Sequence, residues 1–162
     1  MTLSPCRPMR LSDLDHVMVL ERQCFKEPWS RHMYITDLTD NNMATYRVLA
    51  PEPRGEIVEG RALPPILAYG GMWLMVDAAH IATLCSHPDW RGCGLGEWVL
   101  LDLLDVAIRF GATVSTLEVR VSNLPAQRLY EKLGYEIAGK RRRYYRDGED
   151  GLIMTTPPLH DE

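Results

Sequence analysis

Apolar positions recur along the chain at two spacings, one helical and one typical of strands, and together they predict the elements of the fold. The helical spacing predicts four helices, at residues 12–24, 30–38, 94–110 and 124–133. Apolar runs bounded by turn residues predict seven strands, at residues 3–7, 44–49, 66–76, 80–86, 114–120, 135–145 and 152–159. The order β-α-α-β-β-β-α-β-α-β-β is typical of an α/β fold, a mixed sheet with helices on its faces.

Cap and turn residues support these limits. Two serines precede predicted helices and two glycines follow predicted helix ends, namely Ser12, Ser30, Gly111 and Gly134. Residues 77–79 predict the turn of a hairpin between the third and fourth strands, and residues 146–149 predict the turn between the last two. Residues 51–65 contain four prolines and two glycines and predict an exposed loop, not a linker between domains.

Composition narrows the class of protein. With 162 residues, 46% of them hydrophobic, the chain has the size and content of one domain, residues 1–162, with a real core. The formal net charge of −4 argues against a non-specific nucleic-acid binder. The sequence shows neither a signal peptide nor an apolar run of the roughly 20 residues that span a bilayer, so we expect a cytoplasmic protein that binds no membrane.

The cysteines and histidines predict no metal site. Cys6, Cys24, Cys85 and Cys93 form no CxxC pair, and no histidine stands at metal-ligand spacing from them. We therefore expect four reduced thiols and no metal cofactor. His80 and His87, which flank the fourth strand, are interpreted as structural.

A glycine-rich segment at residues 91–96, Arg-Gly-Cys-Gly-Leu-Gly, stands where a strand gives way to the third helix. Such a turn exposes backbone N–H groups at a helix N-terminus, where they can bind an anion. Gly96 is followed by Glu97 and Trp98, so the segment lacks the Lys-Ser/Thr of a Walker A loop. Its GxGxG spacing and its mid-chain position also exclude a Rossmann dinucleotide loop. Taken alone, the segment leaves anion binding and a plain turn equally open.

Several ordered motifs resolve that choice by resemblance. Residues 79–96 are similar to motif A of the GNAT acetyltransferases, whose loop has the signature Gln/Arg-x-x-Gly-x-Gly/Ala. Leu-Glu-Val-Arg-Val-Ser-Asn at 117–123, Leu-Tyr-Glu-Lys-Leu-Gly-Tyr at 129–135 and Arg-Arg-Tyr-Tyr at 142–145 follow, and they resemble the RimI branch of that family. Phe25, Pro28, Trp29 and Ser30 are similar to its N-terminal helices, so that only residues 51–65 lack a counterpart.

The resemblance implies a GNAT fold, with a mixed sheet of about seven strands that splays between the fourth and fifth, and about four helices on its faces. It also implies acetyl-CoA as cosubstrate. The thioester and pantetheine groups would bond to the fourth strand, at Leu84, Cys85 and Ser86. The pyrophosphate would bind at Arg91, Gly92, Cys93, Gly94, Leu95, Gly96 and Glu97. Glu97 departs from the family pattern, because it brings a carboxylate to the expected pyrophosphate.

Acetylation of an amine requires a base for the amine and an acid for the departing thiolate. Strand alternation puts Thr116, Glu118 and Arg120 on one face, and the resemblance implies that Glu118 is the general base. The structural alternative is that Glu118 pairs with Arg120 or with a neighbouring strand. The resemblance further implies that Asn123 hydrogen-bonds the pantetheine arm and that Tyr130 is the general acid. Seven residues separate Asn123 from Tyr130, about two helical turns, so both could face the cofactor.

The RimI branch acetylates N-terminal amines of proteins, and the resemblance implies this acceptor, in particular an N-terminal alanine of a ribosomal protein. The acceptor groove would be built by residues 25–30 and 141–149, with Trp29, Tyr144 and Tyr145 as candidate walls. A GNAT enzyme acting on lysine side chains or a small amine, and a non-catalytic acetyl-CoA-binding module, remain as alternatives. We expect a monomer or a weak homodimer with no nucleic-acid partner.

Overall fold

A computed structural model describes residues 6–51 and 54–159 of the protein. The four helices are α1 (Leu14–Cys24), α2 (Arg31–Thr39), α3 (Leu95–Arg109) and α4 (Leu124–Lys132). The strands are β1 (Arg7–Pro8), β2 (Ala44–Leu49), β3 (Ile57–Val58), β4 (Arg61–Ala62), β5 (Ala68–Met75), β6 (Ala78–Ser86), β7 (Val114–Arg120), β8 (Glu136–Arg141) and β9 (Gly151–Thr155). Short 3₁₀ turns at Leu11–Asp13 and Pro88–Trp90 precede α1 and the glycine-rich segment.

Seven strands form one mixed sheet in the order β1-β2-β5-β6-β7-β9-β8, and β3 pairs with β4 in a separate hairpin. β6 and β7 are parallel, whereas β7 with β9 and β8 with β9 are antiparallel. The register of β6 with β7 covers only Ala78–His80 against Val114–Thr116, at the beginning of both strands. The predicted splay between the fourth and fifth long strands stays a prediction.

The chain divides into two compact units. The first takes the described residues of Met1–Met72 and Thr83–Leu103, and the second takes those of Trp73–Ala82 and Leu104–Glu162. In the first unit, apolar residues of α1 pack with Tyr34, Tyr46 and Tyr69 in a buried cluster. Glu21 lies inside it with 1% exposure, and its carboxylate accepts hydrogen bonds from the hydroxyls of Tyr34 and Tyr69 at 2.7 and 2.6 Å.

In the second unit, burial alternates strictly along β7, with Ser115, Leu117 and Val119 buried and the residues between them partly exposed. This alternation confirms the predicted common face of Thr116, Glu118 and Arg120. The buried hydroxyls of Ser115 and Tyr135 hydrogen-bond each other at 2.6 Å, so the polar atoms on the buried side are satisfied.

Several predicted boundaries were wrong, and each error has a local cause. The chain forms a 3₁₀ turn before α1 because Asp13 accepts a hydrogen bond from the backbone N–H of Arg10, so Ser12 caps nothing. The turn between β5 and β6 lies at residues 76–77, one residue early. Residues 51–65, predicted as loop, contain the β3–β4 hairpin. The first predicted strand, at 3–7, lies partly outside the described residues.

The last two strands are shorter than predicted. β8 ends at Arg141 and β9 begins at Gly151, so the connection spans residues 142–150 instead of four turn residues. Arg143 has a left-handed backbone, with φ of 51°, and its N–H bonds the Asp150 carboxylate at 2.8 Å. This conformation ends the ladder although the aromatic and arginine residues suit a strand.

The prediction of four reduced thiols was wrong for one pair. Cys24 at the end of α1 and Cys85 in β6 are joined by a disulfide, with Cα atoms 6.4 Å apart and a sequence separation of 61. Cys6 and Cys93 are free. Separation along the chain gave no sign of the pairing, because it depends on the packing of α1 against the end of β6. Among the described residues, no helix is long and apolar enough to cross a membrane.

Candidate active site

The glycine-rich segment has the geometry of an anion-binding loop. Gly92 and Gly94 have φ of +82° and +78°, which glycine adopts without strain, and a Cβ at either would meet no atom within 4 Å. The first hydrogen bond of α3 runs from the N–H of Trp98 to the Gly94 carbonyl at 3.0 Å. The N–H groups of Leu95 and Gly96 stand in the first turn of α3, before the first i→i−4 hydrogen bond, and lie at the positive end of the helix dipole.

An exposed glycine loop that leads into a helix N-terminus is the kind of site that binds a phosphate group, such as the pyrophosphate of acetyl-CoA. Residues 91–94 are exposed, so a ligand can reach them. Arg91 supplies a cation, and its guanidinium also donates to the Cys24 sulfur at 3.6 Å. Glu97 lies in the first turn of α3, as the sequence predicts.

The predicted pantetheine strand lies at the end of β6. The pairing of β6 with β7 ends at His80, so the backbone of Leu84, Cys85 and Ser86 takes no part in it. The Cys85 side chain is 3% exposed and bound to Cys24, so it is not a free thiol for an acetyl-cysteine intermediate. The backbone role that the resemblance implies for Cys85 does not need its sulfur.

In the second unit, the carboxylate of Glu118 is surrounded by polar side chains from three segments. The His80 Nε2 atom lies 3.3 Å from Oε1, the Tyr144 hydroxyl donates to Oε1 at 3.4 Å, and the Arg141 Nε lies 3.7 Å from Oε2. The side chain of Glu118 is 13% exposed. Glu118 thus pairs with the neighbouring strand β6 through His80, as one of the structural alternatives predicts, and Arg120 pairs with Asp147 and Glu149.

The hydrogen bond from His80 lowers the pKa of Glu118 below its ordinary range; burial opposes this effect, and Arg141 and Tyr144 add to it. Glu118 is therefore a carboxylate at neutral pH, ready to accept a proton. For Tyr144, burial and the nearby Glu118 charge raise the pKa of the phenol, so its hydroxyl stays protonated and donates.

Arg120 fixes the connection after β8. Its guanidinium bonds Asp147 at 2.8 Å and Glu149 at 2.8 Å and lies 4.1 Å from the Tyr145 ring centroid. Hydrogen bonds from Ser122 and Arg120 lower the pKa of Glu149 to about 2. The Arg120 contacts hold residues 144–149 against β7, and thereby hold Tyr144 beside Glu118.

Asn123 and Tyr130 lie at the start and near the end of α4. Asn123 caps the helix, because its Oδ1 accepts from the N–H of Ala126 at 3.3 Å, so its amide NH₂ is the group left for a ligand. Tyr130 packs edge-on against Tyr135, with ring centroids 5.8 Å apart. Burial raises the pKa of Tyr130, so the phenol is protonated at neutral pH. Within the described residues its hydroxyl has no hydrogen-bond partner.

The sequence did not predict the contacts that His80 and Tyr144 make with Glu118. His80 was interpreted as structural because it has no metal-ligand partner, yet its ring is aimed at Glu118. The sequence does place His80 in the strand before the glycine-rich segment. In a fold where the next strand runs parallel to it, His80 comes opposite Thr116 and near Glu118. Trp29, a candidate wall of the acceptor groove, is partly buried against the core and lies 5.5 Å from the Tyr34 ring.

The mixed seven-stranded sheet, in which β6 and β7 run parallel, and the helices on it place the described residues in the α/β class of folds. The chain belongs to the Acetyltransferase (GNAT) family, whose profile matches residues 14–135. It is an N-acetyltransferase of that family, similar to the RimI branch. Among the described residues, no group of three His, Cys, Asp or Glu is arranged to hold a metal ion.

A Bacillus subtilis (strain 168) relative is 38% identical over 154 residues, 94% of this chain and 95% of its own length; its name provisionally assigns alanine N-acetylation of ribosomal protein bS18. The Escherichia coli (strain K12) [ribosomal protein bS18]-alanine N-acetyltransferase is 30% identical over 92% of this chain and 94% of its own. The crystal structure of the E. coli ribosomal-protein-S18-alanine N-acetyltransferase superposes with a TM-score of 0.82 and 26% identity, over 99% of this chain and 96% of that one. Solved structures of the same fold include Arabidopsis thaliana NAA60 in complex with acetyl-CoA, with a TM-score of 0.79 and 14% identity over 95% of this chain and 97% of that one.

Proposed function

We propose that the protein transfers the acetyl group of acetyl-CoA to the N-terminal α-amino group of a protein, and that the acceptor is an N-terminal alanine of a ribosomal protein. The observation that carries the proposal is the ionised carboxylate of Glu118, held at the middle of β7 by His80, Tyr144 and Arg141. The proposed acceptor rests on the activities named for two relatives that match nearly the whole chain. Ribosomal proteins are made in the cytoplasm, which is therefore the proposed compartment.

In the proposed reaction, the acceptor nitrogen forms a bond to the thioester carbonyl carbon and the carbon–sulfur bond breaks. Glu118 takes the proton that the nitrogen loses, directly or through one water, and Tyr130 gives its hydroxyl proton to the departing thiolate. Solvent then reprotonates Tyr130 and deprotonates Glu118, which restores the starting state. The N–H groups of Leu95 and Gly96 at the start of α3, with Gly92 and Gly94, bind the pyrophosphate and position the thioester.

The low pKa of Glu118 limits when it can act. An α-ammonium has a reference pKa of about 8, so near neutral pH it loses its proton to solvent at a cost of about 1.4 kcal/mol and becomes the neutral amine that attacks. Handing that first proton to a carboxylate, with a reference pKa of about 4.3, would cost about 5 kcal/mol, so Glu118 is suited to the second proton, which the nitrogen loses as it is acylated. The nitrogen becomes more acidic as it bonds to the carbonyl carbon. We therefore propose that Glu118 takes the proton during or after attack, which a strongly ionised carboxylate can do.

An acceptor panel tests this proposal. Peptides that begin with Ala, the same peptides with a blocked N-terminus and an internal lysine, and a free polyamine are incubated with acetyl-CoA, and products are located by mass spectrometry. Acetylation of the free Ala N-terminus alone is expected. Preferential acetylation of the lysine or the polyamine would refute the proposed acceptor. Saturable binding of acetyl-CoA without release of a thiol would refute the proposal that the protein transfers acetyl groups.

The base is tested with a matched pair of variants. Glu118→Gln removes the proton acceptor and is expected to lower kcat by about 10²-fold or more. Glu136→Gln changes an exposed glutamate of β8 and is expected to leave kcat unchanged. Equal kcat values for the wild type and Glu118→Gln would refute the role of Glu118.

A further inference from the structure

His80 is fixed on both sides of its imidazole ring. Its Nδ1 atom lies 3.0 Å from the Thr116 hydroxyl oxygen and its Nε2 atom lies 3.3 Å from Glu118 Oε1. The Trp73 ring packs beside it, with centroids 6.2 Å apart. The side chain is 19% exposed, so these three contacts enclose most of the ring.

The backbone explains why this histidine reaches this carboxylate. His80 and Thr116 are the last residue pair of the parallel register between β6 and β7. Glu118 stands two residues further along β7 on the same face, so it is the diagonal neighbour of His80. The backbone pairing of β6 with β7 ends before Glu118. The contact between β6 and the Glu118 carboxylate is therefore made by the side chain of His80.

The hydrogen bonds have a definite direction. An ionised carboxylate only accepts, so the Nε2 atom that approaches Glu118 carries a hydrogen. In the neutral ring the Nδ1 atom is then an acceptor, and the Thr116 hydroxyl donates to it. Donation thus runs from Thr116 to His80 to Glu118 Oε1, and this chain fixes both the tautomer of the ring and the position of one carboxylate oxygen.

The other groups that face Glu118 hold it less firmly. Arg141 is 53% exposed and lies 3.7 Å from Oε2, and the Tyr144 hydroxyl bond is long at 3.4 Å. Without His80, the strongest remaining attraction on the carboxylate is the exposed guanidinium of Arg141. We therefore expect the carboxylate to turn toward Arg141 and away from β6.

We propose that His80 is a positioning residue for acetyl transfer, which holds the Glu118 carboxylate beside the paired start of β6 and β7 through the chain Thr116–His80–Glu118. The inference rests on the proposed role of Glu118 as the base. His80 touches neither acceptor nor thioester in this scheme, and its effect is on turnover, because a base displaced by about 1 Å loses much of its efficiency.

The test compares kcat and KM across four single variants and one double variant. His80→Ala is expected to lower kcat about tenfold to a hundredfold with the KM for acetyl-CoA unchanged. His80→Gln places an amide N–H where Nε2 lies and is expected to restore kcat to within about fivefold of the wild type. Thr116→Val alone is expected to lower kcat a few-fold. Added to His80→Ala it is expected to have no further effect, because Thr116 acts on Glu118 only through the His80 ring. His32→Gln, an exposed histidine of α2, is the control and should leave kcat unchanged.

The outcomes distinguish the role proposed for His80 from the role proposed for Glu118. If Glu118→Gln is inactive while His80→Ala keeps the wild-type kcat, Glu118 remains the base and the role of His80 is refuted. If His80→Ala lowers the melting temperature and raises the KM for acetyl-CoA, and His80→Gln does not rescue kcat, His80 is merely structural and the inference also fails. If Glu118→Gln retains the full kcat, Glu118 is not the base, and the positioning role of His80 is refuted as well.

Discussion

Two aspartates near the start of α1 allow one prediction to be worked in detail, because they make ion pairs of equal length in different surroundings. Asp13 pairs with Arg7 at 2.8 Å, with side chains 10% and 27% exposed, whereas Asp15 pairs with Arg31 at 2.9 Å, with side chains 84% and 49% exposed. Asp13 also accepts a second bond from Arg7 at 2.9 Å and one from the N–H of Arg10 at 2.8 Å. We predict that Asp13→Asn destabilises the fold and that Asp15→Asn does not.

The size of the effect follows from what asparagine can replace. Its single carbonyl oxygen keeps one acceptor, and its NH₂ group turns a donor toward the remaining donors, so at least one charge-assisted bond is lost. Such bonds contribute about 1.5–3 kcal/mol each, and part of this returns because the partly exposed Arg7 side chain regains water. We expect a loss of about 2 kcal/mol for Asp13→Asn, and at most about 0.5 kcal/mol for Asp15→Asn.

Urea unfolding followed by circular dichroism measures both variants. With an m-value of about 2 kcal/mol per molar urea, Asp13→Asn should lower the midpoint by about 1 M, and Asp15→Asn by less than about 0.25 M. Equal shifts for the two variants would refute the reasoning, since burial would then not decide the strength of these pairs.

The same pair predicts a pH dependence of defined sign. Burial raises the pKa of Asp13, but the bonds from Arg7 and Arg10 outweigh it, and the folded-state pKa is lower than the ordinary value of 3.8. The unfolded state therefore binds more protons, so the contribution of Asp13 is complete above pH 3.8 and is lost as pH falls through the folded-state pKa. The difference between the wild type and Asp13→Asn should be constant from about pH 5 to 8 and shrink below about pH 4. A difference that grows on acidification would contradict this sign.

Three further outcomes are expected. Gly94→Ala strains a residue with φ of +78° and should raise the KM for acetyl-CoA about tenfold, whereas Gly96→Ala, inside α3, should change it less than about threefold; equal effects would argue against a strained loop. In denaturant without reductant, two of the four cysteines should react with a thiol reagent, and all four after reduction; four reactive thiols before reduction would exclude the Cys24–Cys85 bond. Arg120→Gln should release Tyr144 and lower kcat about tenfold, and unchanged turnover would show that the connection is held by other contacts.

The apolar pattern predicted most of the long elements because each of them has one buried and one exposed side. β7 is the clearest case: its limits were predicted to the residue, and its alternation put Glu118 on the face where the polar cluster lies. Ser30 was also correctly assigned as a cap, since its hydroxyl accepts from the N–H of Met33 at 3.2 Å. Local chemistry of this kind depends only on neighbouring residues, so it can be inferred from spacing.

Features that depend on distant residues were not predictable in the same way. The Cys24–Cys85 bond joins positions 61 residues apart, and the contact of His80 with Glu118 depends on the register of two parallel strands. Arg120 was considered as a partner of Glu118 because the two share a face, but the connection after β8 offers it Asp147 and Glu149 instead. The roles of Glu118 and Tyr130 came from motif resemblance, and no spacing argument would have selected them.

The measurement that most directly tests acetyl transfer by these residues is the turnover of Tyr130→Phe beside Tyr135→Phe, with acetyl-CoA and an Ala-starting peptide. The two rings touch, with centroids 5.8 Å apart, so both variants remove one hydroxyl from the same aromatic pair. Tyr130→Phe should lower kcat about 10²- to 10⁴-fold with its melting temperature unchanged, because the thiolate loses its proton donor. Tyr135→Phe should lose stability, through its bond to Ser115, and keep its kcat. A Tyr130→Phe enzyme that turns over within about threefold of the wild type would contradict Tyr130 as the acid.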